Sequence, residues 1–242
     1  MCAYEPIAAG VRESAPSHAT EPRQEFSPRF LSAMAEFVRA VNQGRSEPIC
    51  SGYMGLRSLA GGVPLRQVFQ AIDEAVGGNA GKVIVAAFGR RRCFMCGDGT
   101  RPCATCHGTG LVERFRCPNC EGLGVEACPF CLGSGWYANE DMPAEIRDPA
   151  HQYRLQRISK DLDCLAEIPL AKAIASARKA TPEKRRQWAT SLMRLYGKLT
   201  VLTRHETDGD ALIQRCRQGI EHIEQILQAL RPPTPPAETK AG

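Results

Sequence analysis

The apolar residues of this chain form helix-like stripes on both sides of a central segment that has few of them. The first stripe predicts a helix that begins at Ser27, a capping residue, with Pro28 at its first position and Gly44 at its end. Its apolar positions are spaced for one buried face: Phe30, Met34, Phe37, Val38 and Val41. Because such a helix buries only one side, it needs a partner surface.

A second helix is predicted between Pro64 and the glycines at 77 and 78. Its stripe consists of Leu65, Val68, Phe69, Ile72 and Val76. The apolar run at residues 82–88 fits either a strand or a buried helix, because periodicity does not distinguish the two in so short a run. Residues 26–88 are therefore expected to be an N-terminal helical segment.

Further helices are predicted after the central segment. Asp148 and Pro149 have the pattern of a cap followed by a first-turn proline, and the apolar stripe that begins there is interrupted at Pro169. Thr181 and Pro182 repeat this start signal, and a last helix is predicted at about residues 210–230. These elements predict a helical hairpin or three-helix bundle at residues 148–230, to which the N-terminal helices can add.

Both ends of the chain lack apolar periodicity. Residues 1–25 are predicted to be a disordered lead, and residues 231–242 a proline-rich, polyproline-like tail. The start carries no basic stretch followed by an apolar one, and no apolar run approaches the length of a membrane span. We therefore expect a cytoplasmic protein that does not interact with a membrane.

The central segment holds eight of the twelve cysteines, in four Cys-x-x-Cys pairs. A two-residue gap lets both sulfurs of a pair face one ion, so eight thiolates predict two four-cysteine zinc sites and a cofactor content of two Zn²⁺ per chain. Such clusters, without a secretory leader, favour metal ligands in a reducing compartment over disulfides. The other cysteines are expected to be plain thiols: Cys2, Cys50, Cys164 and Cys216.

Each of the last three pairs is followed by the same glycine pattern, which gives a repeated unit Cys-x-x-Cys-x-Gly-x-Gly. Glycine permits positive φ after the second ligand and brings backbone N–H groups close to the sulfurs. In the first unit the glycines lie one place early, so that Asp98 and Thr100 occupy the expected glycine positions. We expect an altered local turn there, with all four sulfurs of the site retained.

This repeat resembles the cysteine-rich zinc-finger domain of the DnaJ chaperones over about residues 90–138, and we assign residues 89–138 to such a domain. The resemblance implies an extended, twisted hairpin in which the first and fourth pairs share one ion and the second and third share the other. Carried over by position, site 1 consists of Cys93, Cys96, Cys128 and Cys131. Site 2 consists of Cys103, Cys106, Cys117 and Cys120.

The close spacing of the pairs is more similar to stand-alone DnaJ-type proteins, such as the bundle-sheath-defective-two-like assembly factors, which act by binding a protein partner. The His-Pro-Asp tripeptide of J-domains does not occur in the chain, and no strand-rich region follows the fingers. The resemblance therefore implies a chaperone, assembly factor or adaptor that binds unfolded or unassembled protein. It does not imply a co-chaperone that stimulates a DnaK-type ATPase.

Two other functions compete with protein binding. The arginines at 90–92, with Arg101, Arg114 and Arg116, are candidates for contacts to nucleic-acid phosphates, although they also offset the charge of four-thiolate zinc centres. A thiol–disulfide oxidoreductase is the third interpretation, but saturated zinc removes access to the thiolates. Since His107 follows a complete pair, no open catalytic zinc site is expected, and no other catalytic motif occurs. We predict that the protein is not an enzyme.

Aromatic residues cluster in and beside the cysteine segment, Phe94 among them, and the candidates for partner binding are Phe115, Phe130, Trp136 and Tyr137. Exposed apolar surface of this kind marks protein-binding sites, but these side chains can instead pack over the metal sites or against the helices. Residues 111–115 alternate as a strand would, with an edge open to a peptide. Self-association through the last helix is also left open.

The sequence as a whole predicts a mainly α fold with an inserted, small, zinc-bound β-hairpin module and a helical hairpin or bundle flanking it. A composition of 43% hydrophobic and 24% charged residues is ordinary for a globular protein. The net charge of +5 is too small to indicate a nucleic-acid partner by itself.

Overall fold

The computed structural model describes residues 25–205 and 211–232, and the fold is mainly helical. The helices in these ranges are α1 Pro28–Asn42, α2 Ser46–Leu59, α3 Leu65–Ala75, α4 Ala80–Arg90, α5 Ala144–Ala166, α6 Leu170–Arg178, α7 Pro182–His205 and α8 Ala211–Leu230. Four short strands lie between α4 and α5: β1 Thr100–Pro102, β2 Leu111–Val112, β3 Phe115–Arg116 and β4 Val125–Ala127. Nearly all of the predicted lead and proline-rich tail lies outside the described residues.

The four N-terminal helices pack around one apolar core. The Ser27 hydroxyl accepts a hydrogen bond from the Phe30 N–H at 3.2 Å, and α1 begins at Pro28, as its capping pattern predicts. The largest fully buried side chains of this core are Phe30, Phe37, Tyr53, Leu56, Ile72, Ile84, Phe88 and Ile146. The ambiguous run at residues 82–88 lies within helix α4.

Helix α2 has no counterpart in the sequence analysis. Pro48, Gly52 and Gly55 interrupt its helical pattern, which is why the stripe was not apparent. Gly52 faces α1 so closely that a Cβ atom there would lie 3.1 Å from the Phe37 ring. Close packing between α1 and α2 therefore compensates for the weak intrinsic helix propensity.

The predicted helix start at Asp148 and Pro149 is wrong. Helix α5 begins at Ala144, and Pro149 lies inside it. A proline inside a helix removes a backbone hydrogen bond and destabilises the helix by about 3 kcal/mol. Tertiary contacts stabilise the first turn of α5 in spite of Pro149. The Glu145 carboxylate accepts a hydrogen bond from the Tyr53 hydroxyl at 2.8 Å and pairs with Arg57 at 2.6 Å.

Helix α5 connects the two halves of the molecule. Its first turns contribute Ile146 and Ala150 to the N-terminal core, and its later turns contribute Ile158 and Leu162 to a C-terminal core. Helices α6, α7 and α8 complete that second half; α6 begins after the interruption at Pro169, and α7 begins after Thr181, as predicted. None of the helices in the described part of the chain is long and apolar enough to cross a membrane.

The cysteine-rich segment contains two small antiparallel sheets. Strand β1 pairs with β4, with Arg101 opposite Glu126. Strand β2 pairs with β3, with Val112 opposite Phe115. The prediction of one strand over residues 111–115 is wrong, because the chain reverses between Val112 and Phe115, where Glu113 adopts φ of 57°.

Candidate metal centres

The structure brings the eight paired cysteines into two groups of four, and all sulfurs of a group lie within 4.8 Å of one another. The groups are Cys93, Cys96, Cys128 and Cys131 (site 1), and Cys103, Cys106, Cys117 and Cys120 (site 2). This is the grouping that the resemblance implies. Within the described residues no further set of three or more His, Cys, Asp or Glu side chains is placed for a metal ion.

The sulfur–sulfur distances fit tetrahedral coordination of zinc. Cys96 and Cys131 are 3.7 Å apart, and Cys103 and Cys117 are 3.8 Å apart. A tetrahedron with Zn–S bonds of about 2.3 Å has edges of roughly 3.8 Å, whereas a disulfide needs about 2.05 Å. Both groups are therefore shaped to hold a metal ion and not to form disulfides.

Backbone N–H groups point at the second sulfur of each pair. The N–H groups of Gly110, Gly124 and Gly135 donate to the sulfur four residues earlier, each at 3.2 Å. In site 2 the Asn119 side-chain amide also donates to Cys103 at 3.3 Å. Such bonds stabilise thiolates and orient them toward a shared cation.

The repeated glycines let the two turns of a site meet backbone to backbone. Gly108 and Gly110 adopt φ of 85° and 80°, in the left-handed region. A Cβ atom on Gly110 would lie 2.6 Å from the carbonyl oxygen of Gly122, and one on Gly124 would lie 2.5 Å from that of Gly108. Larger residues at Gly110 or Gly124 would push the paired turns apart.

The first repeat closes one residue sooner than the others. The Gly99 N–H donates to the Cys96 sulfur at 3.1 Å, three residues later and not four. Gly97 and Gly99 take positive φ, while the Asp98 carboxylate accepts a hydrogen bond from the Thr100 N–H at 3.0 Å. The displaced glycines thus shorten the turn, and all four sulfurs remain together in site 1.

The sulfurs cannot all ionise without a cation beside them. Burial raises the pKa of Cys103, but hydrogen bonds from Asn119 and from backbone N–H groups outweigh it and lower the value to about 6. Burial raises the pKa of Cys96 and of Cys120 to about 12. Since metal ligands must be thiolates, the chemistry of this donor set fits a dication such as zinc.

The aromatic residues of this segment, the four candidates and Phe94, divide into two groups. Phe94, Phe115 and Phe130 are 79%, 69% and 63% exposed. Trp136 and Tyr137 are half-buried between the cysteine segment and the helices, Trp136 against the C-terminal core and Tyr137 against the N-terminal core. Trp136 and Tyr137 therefore have a packing role in the structure, and the exposed aromatic surface belongs to the phenylalanines.

Arg154 is a structural residue that the sequence analysis missed. It is buried on α5 and donates to the carbonyl of Gly89 at 3.1 Å, that of Tyr137 at 3.0 Å and the side chain of Asn139 at 2.6 Å. Burial lowers its pKa to about 10. It lies in an i, i+4 series of buried positions. A charged residue within such an apolar stripe is the sequence feature that could have indicated a buried arginine.

Arg154 joins the two ends of the cysteine segment. Gly89 precedes the first pair, and Tyr137 and Asn139 follow the last repeat. The Tyr137 N–H also donates to the Arg91 carbonyl at 3.0 Å, and the Arg91 guanidinium lies 3.8 Å from the centre of the Tyr137 ring. The ends of the hairpin are thus fixed to each other and to α5.

No protein-family model and no solved structure match this chain.

Proposed function

We propose that this protein is a zinc-stabilised, DnaJ-type protein-binding factor that holds unfolded or unassembled polypeptides or links a specific protein partner. The observation that carries the proposal is the exposed apolar surface on the cysteine segment. Its exposed members are Phe94, Met95, Leu111, Val112, Phe115, Phe130 and Leu132. Apolar surface of this extent on a small module is typical of a protein-interaction site.

Zinc has a structural role in this proposal. The buried residues around the sulfurs are mainly the cysteines themselves, and Leu123 and Val125 are the strand and turn residues that join a helical core. So small an apolar core does not fold a segment of this length, and metal binding supplies the missing free energy. The metal also leaves the large side chains free to face solvent.

The arginine contacts favour protein over nucleic acid as the partner. Arg101 pairs with Glu126 at 2.7 Å and Arg116 with Glu121 at 3.1 Å, while Arg91 stacks on Tyr137. These three cations are already neutralised or packed, which reduces the number of arginines available for phosphate contacts. Thiol–disulfide activity is also disfavoured, because seven of the eight ligand cysteines are buried.

The test is suppression of aggregation of a heat-denatured client enzyme, followed by light scattering. The zinc-loaded protein should suppress scattering, and a variant with Phe94, Phe115 and Phe130 changed to serine should lose most of this effect at unchanged zinc content. Leu31→Ser is the matched control, because Leu31 is 57% exposed but lies on α1, outside the cysteine segment. Full suppression by the triple variant, or none by the parent protein, contradicts the proposal.

Binding to an arbitrary RNA, titrated with salt, distinguishes the nucleic-acid alternative. Phosphate contacts give an affinity that falls steeply as salt rises. We expect weak RNA binding under these conditions.

A further inference from the structure

A cleft of about 570 Å³ lies beside site 1, between the cysteine segment and the connection into α5. Phe94, Phe130, Leu132 and Trp136 contribute its apolar wall, and Leu202 of α7 closes one side. Its volume falls in the range of roughly 300–1,000 Å³ that is typical of pockets for small ligands or for one or two large side chains.

The apolar wall combines exposed rings with a fixed base. The rings of Phe94 and Phe130 are 6.3 Å apart, centre to centre, and tilted by 55°. The Trp136 ring is held by the guanidinium of Arg154 and the ammonium of Lys198, which lie 5.0 Å and 5.6 Å from its ring centre. A ring held in this way, together with two exposed rings, is suited to receiving an apolar side chain at low entropic cost.

The rim of the cleft is acidic. Glu140, Asp141 and Asp148 are exposed on it, and Glu140 also interacts with the charge of Arg154. Arg147, His151 and Arg154 also line the cleft, but Arg154 is buried beneath its surface, so the carboxylates outnumber the exposed arginine. Cys93 and Cys131 border the cleft as well, and four thiolates around one zinc ion carry a net charge of −2.

We propose that this cleft binds an extended segment of a client protein in which a bulky apolar side chain is flanked by lysine or arginine. The apolar side chain lies against Phe94 and Phe130, and the flanking cations pair with the carboxylates of the rim. The inference rests on the proposed protein-binding function and adds the place on the module and the chemistry of the client.

Two labelled peptides test the charge preference by fluorescence anisotropy at low salt: Gly-Ser-Lys-Phe-Leu-Lys-Ser-Gly, and the same peptide with both lysines replaced by glutamate. The lysine peptide should bind about tenfold more tightly, because charge complementarity favours one and penalises the other. The combined variant Glu140→Gln, Asp141→Asn, Asp148→Asn should remove most of this difference while retaining two zinc ions per chain.

A pair of single-residue variants, one in the cleft and one outside it, tests the location. Phe130→Ala should weaken binding of the lysine peptide about fivefold, as expected for loss of an aromatic anchor. Leu31→Ala should leave it unchanged, because Leu31 is 57% exposed but lies on α1 and does not line the cleft. Zinc content and the urea midpoint of each variant show that the fold is intact.

Several results overturn the inference. They are failure of both peptides to bind, equal binding of the two, or loss of binding in Leu31→Ala but not in Phe130→Ala. A dimer of the protein that Phe130→Glu dissociates would assign the cleft to a second copy of the chain. If client aggregation is still suppressed through the three phenylalanines, the proposed function stands while this inference fails; if suppression is absent too, both fail.

Discussion

Gly197 of α7 lies directly against the backbone of Gly133, in the turn that follows the last ligand of site 1. A Cβ atom on Gly197 would lie 2.1 Å from the Gly133 carbonyl carbon and 2.4 Å from its oxygen. One helical turn earlier, the Arg194 guanidinium donates to the Asp98 carboxylate in the first repeat. Helix α7 therefore contacts both arms of site 1, so that the metal centre and the C-terminal bundle stabilise each other.

Replacing Gly197 by alanine should destabilise the protein, although alanine favours helix. The helical preference contributes about 1 kcal/mol, but the added methyl group meets backbone atoms that cannot move aside. We expect a net loss of about 2 kcal/mol in the free energy of unfolding, as for an overpacked contact. The midpoint of urea unfolding measures this loss.

Gly55→Ala is the matched control. Gly55 also lies inside a helix, but apart from its chain neighbours and the adjacent helix backbone no described atom is within 4 Å of the position its Cβ would occupy. This variant should be more stable by about 0.5–1 kcal/mol. Equal shifts of the two variants in the same direction would show that α7 does not depend on close contact with site 1.

Arg154→Met should loosen the attachment of the cysteine segment to α5. The change leaves the carbonyls of Gly89 and Tyr137 and the Asn139 side chain without their charged donor, which costs about 3 kcal/mol. We expect a lower urea midpoint and a shift in tryptophan emission, since Trp136 lies beside Arg154. The control is Arg157→Met on the same helix, and an equal loss in that variant argues against the anchoring role.

The helix boundaries that could be predicted are those fixed by local capping. At Ser27 and Pro28, and at Thr181 and Pro182, residues adjacent in sequence provide for the unpaired N–H groups of the first helical turn. The sequence pattern alone therefore locates the start of these helices. Pro149 does not mark a helix start, because the start of its helix depends on residues that are distant in sequence. Its helix is started by contacts of Glu145 with Tyr53 and Arg57, which are about 90 residues away in sequence and which a local pattern does not reveal.

The metal centres could be predicted because the spacing of their ligands is visible in the sequence. The two-residue gap and the glycine pattern are local, and the four pairs are close in sequence. The packing of the cysteine segment against the helices could not be predicted. The contact of Gly197 with Gly133 and the bonds of Arg154 join distant segments. For the same reason the sequence did not separate the exposed Phe130 from the packed Trp136.

The free energy of unfolding should fall at alkaline pH because the buried Tyr53 side chain ionises. Burial, and then the hydrogen bond to Glu145, raise the pKa of Tyr53 above its ordinary value of about 10. A raised folded-state pKa contributes stability that is fully present below about pH 10 and is lost as the pH rises through the folded value. Tyr53→Phe should cost about 1 kcal/mol at pH 7 and show a shallower decline above pH 10. An unchanged decline in this variant contradicts the assignment.

When a chelator removes zinc, site 1 should lose its ion before site 2. Cys96 in site 1 is partly exposed, whereas all four cysteines of site 2 are buried. Site 2 also has the additional N–H···S bond from Asn119 to Cys103. A chromogenic chelator should therefore record two phases, and Asn119→Ala should accelerate the slower one. Release in a single phase, or no effect of Asn119→Ala, contradicts this order.

The most direct measurement of the central claim is the zinc content of the full chain purified under reducing conditions. The sulfur geometry predicts two zinc ions per chain, and one ion when Cys117 and Cys120 are both changed to serine. Elemental analysis together with quantitation of the protein gives the ratio. A ratio of zero or one in the parent protein, or an unchanged ratio in the double-serine variant, would contradict the account that two four-cysteine metal centres hold this segment.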